Sequence, residues 1–253
     1  MSNETSIIVI PARLHSHRLP RKMLLRETGK TLLQHTYEAC LRATRPREVR
    51  VASGDQEILS EAVSFGGLAE YTDPNAASGT DRVAEVARRI EDVDIVVNVQ
   101  GDEPEIQGSA IDMTIDLVQQ NRTAVMSTLA VPIREQSALV DPNRVKVVFD
   151  KRQRALYFSR SPIPHVRDWD DSMLHLDPPL FFEHLGIYAF RREFLLSFVD
   201  LPKSRYESSE KLEQLRVLES GFEIQIGLVD EHSGGIDTRH EYEAFVQRKR
   251  SNT

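Results

Sequence analysis

The run DIVVNVQ at 94–100 is the most strand-like in the chain: its four apolar residues are all β-branched, and Gly101 closes it. A strand of that kind suits the centre of a parallel sheet, where helices cover both faces. The rest of the chain supplies those layers in alternation. Strands are expected at 7–10, 49–53, 68–72, 123–131, 144–149, 154–159, 182–190 and 222–229. Helices are expected at 31–44, 56–65, 80–91, 109–120, 191–199, 206–219 and 239–250. Such alternation predicts an α/β fold with a doubly wound, mostly parallel sheet.

A chain of 253 residues can bury a sizeable core. No repeat, low-complexity tract or Gly/Ser linker interrupts it, so 1–253 reads as a single domain with a smaller subregion at roughly 132–205. The one long irregular stretch, 161–180, carries four prolines and the only tryptophan, and loops of that length are usually functional or partner surfaces. A net charge of −7 argues against a nucleic-acid partner. Cys40 is the only cysteine, which excludes an intrachain disulfide and multi-thiolate zinc sites; its spacing from Leu32, Leu33 and Thr36 marks it as a core thiol. No apolar stretch approaches ~20 residues and MSNETS lacks a basic region followed by an apolar one, so no membrane partner and a cytoplasmic location are expected.

Between Ile7 and Lys22 the chain reads IIVIPARLHSHRLPRK, a short apolar strand ended by Pro11 and followed by Arg13, Arg18, Arg21 and Lys22. In open α/β sheets, ligands bind in the crevice beyond the carboxyl ends of the strands, so a basic loop there suits a polyphosphate. A solvated surface loop would carry the same cations. Asp102 follows the DIVVNVQ strand and Asp237 lies in SGGIDT. A carboxylate at a strand end can hold a divalent cation, but a turn residue at 102 and a helix cap at 237–238 are the commoner fates of such residues.

The string IPARLHSHRLPRK resembles the N-terminal signature of the sugar-acid cytidylyltransferases, most of all the branch that activates 3-deoxy-manno-octulosonate (Kdo). SGTDR at 78–82, VNVQGDEP at 97–104, ALYFSR at 155–160, HLGIYAF at 184–190, EKLEQLRVLESG at 210–221 and GGIDT at 234–238 follow in the same order. The resemblance implies a Rossmann-like nucleotidyltransferase that moves CMP from CTP to the anomeric hydroxyl of the sugar acid and releases pyrophosphate. It implies Mg²⁺ on Asp102 and Asp237, which with Arg13 and Lys22 make the catalytic set. Nucleotide contacts map onto Ala12, Arg13, Lys22, Ser78, Gly79 and Arg82. Sugar-acid contacts map onto Arg18, Gln100, Arg160, His184, Tyr188, Glu213 and Gln214. A homodimer that meets through the later half is implied as well.

The segment AASGTDR departs from the usual HQSGTER of the family: Ala76 and Ala77 stand where a His-Gln pair is expected, and Asp81 replaces Glu. Individually the mapped residues have plainer accounts. Ser78 suits a helix N-cap, His184 a satisfied core histidine, Tyr188 a strand aromatic and Glu213 a helix surface charge. A cytidylyltransferase for an amino-substituted or sialic-type acid is the alternative enzyme, and a nucleotide-binding protein without turnover the alternative class. ETGKT at 27–31 is a turn before a helix and no P-loop, since Leu24 stands where the first glycine belongs. His15 and His17 have no partner pattern for zinc and are expected to add polarity beside the phosphates.

Overall fold

The computed structural model describes residues 4–16, 18–232 and 234–251, and the chain forms two compact units, 1–112 with 233–253 and 113–232. In the first unit β1 (Ser6–Pro11), α1 (Leu32–Cys40), β2 (Val49–Ser53), α2 (Gln56–Ser64), β3 (Leu68–Tyr71), α3 (Gly79–Arg89) and β4 (Ile95–Asn98) alternate as expected. The strands are parallel and ordered β3-β2-β1-β4. Every residue of β1 and β4 is buried, which is why both read as apolar runs and not as alternating ones. Because β1 lies between β2 and β4, the strand order reverses there. A crevice opens at such a reversal beyond the carboxyl ends of the strands, here the ends of β1 and β4.

Helix starts follow their caps. Thr31 accepts from the Gln34 amide at the head of α1, so ETGKT is a cap and turn. α1 stops at Cys40, short of the expected 44, because Asp112 takes the amides of Thr44 and Arg45. A Cβ on Gly108 would lie 2.5 Å from the Arg42 backbone, so only glycine lets the chain pass there. Cys40 is buried, and burial, with Glu103 nearby, pushes its thiol well above the usual range. It is a core residue, as its spacing predicts.

α4 (Gly108–Gln120) leads into the second unit, which contains β5 (Ala124–Pro132), α5 (Gln136–Val140), β6 (Lys146–Phe149), β7 (Ala155–Ser159), β8 (Phe182–Arg191), α6 (Arg192–Phe198), α7 (Arg205–Glu210), α8 (Gln214–Glu219) and β9 (Glu223–Leu228). Here β5 runs parallel to β9 and antiparallel to β8, and β6 pairs antiparallel with β7 and β8. The single helix expected at 206–219 is two helices. Lys211 adopts φ 56°, in the left-handed region, and ends α7. A buried pair then ties the halves together: Arg216 donates from Nε to Glu207 Oε2 at 2.7 Å and from Nη2 to Oε1 at 2.5 Å. The irregular stretch 161–180 contains a 3-10 turn, Asp171–His175, anchored by Leu174 against Ile133, Ala138, Leu139 and Phe181.

The last helix, α9 (Arg239–Ser251), belongs to the first unit, where Tyr242, Phe245 and Val246 pack with Leu19, Leu32 and Ile236. That packing brings the segment before α9 against the loop after β1. Among the described residues no helix is long and apolar enough to cross a membrane.

Candidate functional site

A cleft of about 270 Å³ lies in the first unit where that crevice was expected. Its walls are the loop after β1, with Ala12, Arg13, His15, Ser16, Arg18 and Lys22, and the turn after β4, with Gln100, Gly101 and Asp102; Asp237 completes it. His17 lies outside the described residues. Arg21 adopts φ 55° and starts the 3-10 turn Lys22–Leu24, which turns the Lys22 side chain inward.

Three oxygens converge on the Lys22 ammonium. It donates to Asp102 Oδ2 at 2.5 Å, to Asp237 Oδ1 at 2.8 Å and to the Ile236 carbonyl at 3.2 Å. Arg18 donates to the other oxygen, Asp237 Oδ2, at 2.6 Å. Burial alone would lower the Lys22 ammonium, but the two carboxylates outweigh it and raise the group above its ordinary value. The carboxylate oxygens on this nitrogen lie within about 5.3 Å of each other, the most that those two contacts allow. Asp237 is free for this because Thr238 takes the cap: Thr238 Oγ1 accepts from the Glu241 amide, and Glu241 accepts from the amides of Asp237 and Thr238.

The donor set fits a hard divalent cation. Mg²⁺ is commonly held by one or two carboxylates with substrate phosphates and water completing its shell, and this pair of carboxylates already accommodates a cation. Among the described residues no group of three or more His, Cys, Asp or Glu could hold a metal.

The remaining residues of the first unit divide by use. Ser78 caps α3, accepting from the Asp81 amide at 3.2 Å. A Cβ on Gly79 would meet Pro11 Cγ at 3.3 Å, so glycine keeps this helix start close to the end of β1. Arg82 is buried, and its guanidinium donates to Thr72 Oγ1 and the Asp73 carbonyl at 2.8 Å each and to the Pro74 carbonyl at 3.3 Å. It braces the segment before Ser78 from behind. Gln100 donates to Asn98 Oδ1 at 3.0 Å, which fixes its amide at the cleft. The sequence reading missed Pro11, Ser16, Met23 and Gly101 as lining residues; Met23 packs where a Cβ on Gly101 would stand, 2.9 Å from its sulfur.

In the second unit, His184 is buried with Nε2 3.0 Å from Thr128 Oγ1, and burial pushes it down to about 3, so the ring is neutral. Tyr188 lies beside it with ring centroids 5.5 Å apart. Its hydroxyl is pushed up by burial and by the Glu213 charge. Gln214 is buried, and among the described residues its Nε2 has no hydrogen-bond partner. Arg160 spends Nε on the Glu210 carbonyl and Nη1 on the Pro142 carbonyl, while Glu210 also accepts from its amide and from Ser159.

A model of the cytidylyltransferase family matches residues 7–226. The chain belongs to that family. A 3-deoxy-manno-octulosonate cytidylyltransferase of Rhodopirellula baltica is 47% identical over 243 residues, covering 96% of this cytidylyltransferase and 97% of its own length. One of Geotalea daltonii is 44% identical over 244 residues, covering 95% and 96%. A solved CMP:2-keto-3-deoxy-manno-octonic acid synthetase in complex with CTP superposes with a TM-score of 0.91 at 37% identity, covering 99% of this chain and 100% of that one. A 4-diphosphocytidyl-2C-methyl-D-erythritol synthase from Anaerococcus prevotii, 12% identical with a TM-score of 0.61, shares the fold.

Proposed function

We propose that this cytidylyltransferase transfers CMP from CTP to the anomeric hydroxyl of Kdo and releases pyrophosphate. The observation that carries the reading is the cleft beyond β1 and β4, where two carboxylates and the cations Arg13, Arg18 and Lys22 meet in a chain so similar to enzymes named for that reaction. Attack of the hydroxyl on the α-phosphorus requires negative charge to be held on both sides of the phosphorus as pyrophosphate leaves. Positioning and charge stabilisation do most of the work in such transfers.

In this reading Arg13 and Lys22 hold the triphosphate, and Ala12, Ser78 and Gly79 seat the nucleotide against the end of β1. Asp102 and Asp237 would hold Mg²⁺, which when bound neutralises phosphate charge. Arg82 acts on the nucleotide through the 72–74 segment that it braces. The family resemblance assigns sugar-acid contacts to Arg18 and Gln100 in the first unit and, separately, to Arg160, His184, Tyr188, Glu213 and Gln214 in the second. His184 is neutral and suits hydroxyls, and the buried amide of Gln214 has a hydrogen to offer. The family resemblance supports a homodimer through 132–205 and a cytoplasmic location, and a role in lipopolysaccharide or related surface glycan synthesis follows from the product.

The test is pyrophosphate release with Mg²⁺ and a panel of sugar acids. CTP is expected to exceed UTP by at least ~10-fold, because the exocyclic amine of cytosine donates where uracil presents an oxygen, and a carbonyl aimed there would be satisfied by CTP and opposed by UTP. Equal turnover with UTP, or activity on a sugar phosphate and none on a keto-sugar acid, would reject it. Asp102→Asn and Asp237→Asn are each expected to remove most turnover with the fold retained.

A further inference from the structure

The cation that Asp102 and Asp237 hold here is the chain's own. The Lys22 ammonium sits 2.5 and 2.8 Å from one oxygen of each carboxylate, with the Ile236 carbonyl as third acceptor. Arg18 covers the remaining oxygen of Asp237. Two cations thus face two carboxylates, and the cluster is balanced. The Lys22 side chain is 11% exposed, so its contacts are screened by salt less than the exposed Arg18–Asp237 pair.

We propose that Lys22 is an internal stand-in cation that keeps the divalent-metal site closed until a triphosphate arrives. This rests on the reading of Asp102 and Asp237 as the metal ligands. A divalent ion would draw oxygens of the same two carboxylates to ~2.1 Å. With the ammonium in place it would have to share them with a positive charge a few ångströms away, in a site whose negative charge is already spent. Lysine is suited to giving the site up, since its ammonium is a point charge on a flexible stem and rotates onto a new acceptor without a fixed fork geometry. In that reading the phosphate oxygens of CTP enter the same cleft, which Arg13 and Ser16 line, and offer Lys22 new acceptors. As the ammonium leaves, the cluster regains net negative charge, centred on Asp102 because Arg18 still pairs with Asp237, next to a further set of phosphate oxygens. Nucleotide and metal therefore bind with positive coupling, and by linkage each raises the affinity for the other. The free site is spared occupancy by metal without nucleotide.

Mn²⁺ binding to the nucleotide-free full-length protein tests this, read from the loss of the free-ion electron paramagnetic resonance signal. Wild type should bind Mn²⁺ weakly. Lys22→Ala and the better-packed, uncharged Lys22→Gln should each bind at least ~10-fold more tightly, and Lys22→Ala/Asp102→Asn should return to the weak level. Thermal melts establish that each variant is folded, and Lys22→Gln carries the test should Lys22→Ala fail to fold. Wild type that binds Mn²⁺ as tightly as the Lys22 variants overturns the stand-in role; if Asp102→Asn then abolishes that binding, the metal-ligand reading survives. Tight binding by the Lys22 variants that is indifferent to Asp102→Asn overturns both.

Discussion

Arg82 offers a direct choice between two uses of one guanidinium. The family resemblance assigns it to the nucleotide, whereas in the structure it donates to Thr72 Oγ1 and the Asp73 carbonyl at 2.8 Å each, with a longer contact to Pro74. Replacing it by Met keeps the aliphatic stem and removes all three. At ~1.5–3 kcal/mol for a hydrogen bond to a charged group, the two short ones amount to about 3–6 kcal/mol. Little screening reduces this, because Arg82 is 7% exposed. At roughly 2–4 °C per kcal/mol for a protein of this size, Arg82→Met should lower the melting temperature by on the order of 10 °C. The KM for CTP should rise secondarily, as the segment before Ser78 loosens. Arg82→Lys, which can keep one donor on these acceptors, should recover part of the stability. Thermal unfolding and CTP kinetics on the same preparations decide the matter. A melting temperature within a degree or two of wild type, with KM for CTP raised more than ~10-fold, would refute the brace and return the guanidinium to the nucleotide.

The buried Glu207–Arg216 pair, whose side chains are 7% and 9% exposed, should behave as a unit. Arg216→Met alone should cost ~3–5 kcal/mol in denaturant unfolding by stranding the carboxylate, while Glu207→Gln/Arg216→Met should recover much of that; equal losses in both would contradict it. His184 sets a pH dependence. Its native value of about 3 lies below the unfolded value near 6.5, so its contribution is full above ~6.5 and is lost as pH falls toward 3. Unfolding free energy should fall with pH over that window, and His184→Gln should flatten the slope between pH 6.5 and 4; an unchanged slope would show that His184 is not the group responsible.

Much of the fold was legible because it is local. The β-branched runs of β1 and β4 mark strands buried on both faces, and helix starts at Thr31 and Ser78 follow from a hydroxyl placed to accept from an amide three residues on. Cys40 declared itself a core residue by its spacing from other apolar positions. The basic loop after β1 was visible as composition, and the parallel alternation predicted that it faces the crevice. Where local periodicity misled, a long-range contact had overruled it. The segment 206–219 holds no proline or glycine to end a helix, yet Lys211 breaks it, and Glu207 and Arg216 meet while buried.

The site itself was decided by tertiary structure. Lys22 reaches Asp102 and Asp237 across separations of 80 and 215 residues, and no spacing rule connects positions that far apart. What brings them together is the packing of α9 on Leu19 and Leu32, which delivers the 234–238 segment to the mouth of the sheet. The use of Arg82 as a brace and the neutrality of His184 are likewise properties of surroundings. A residue type states which hydrogen bonds and charges a side chain can offer; which partner takes them, and how far burial shifts them, depends on neighbours that only the folded chain supplies.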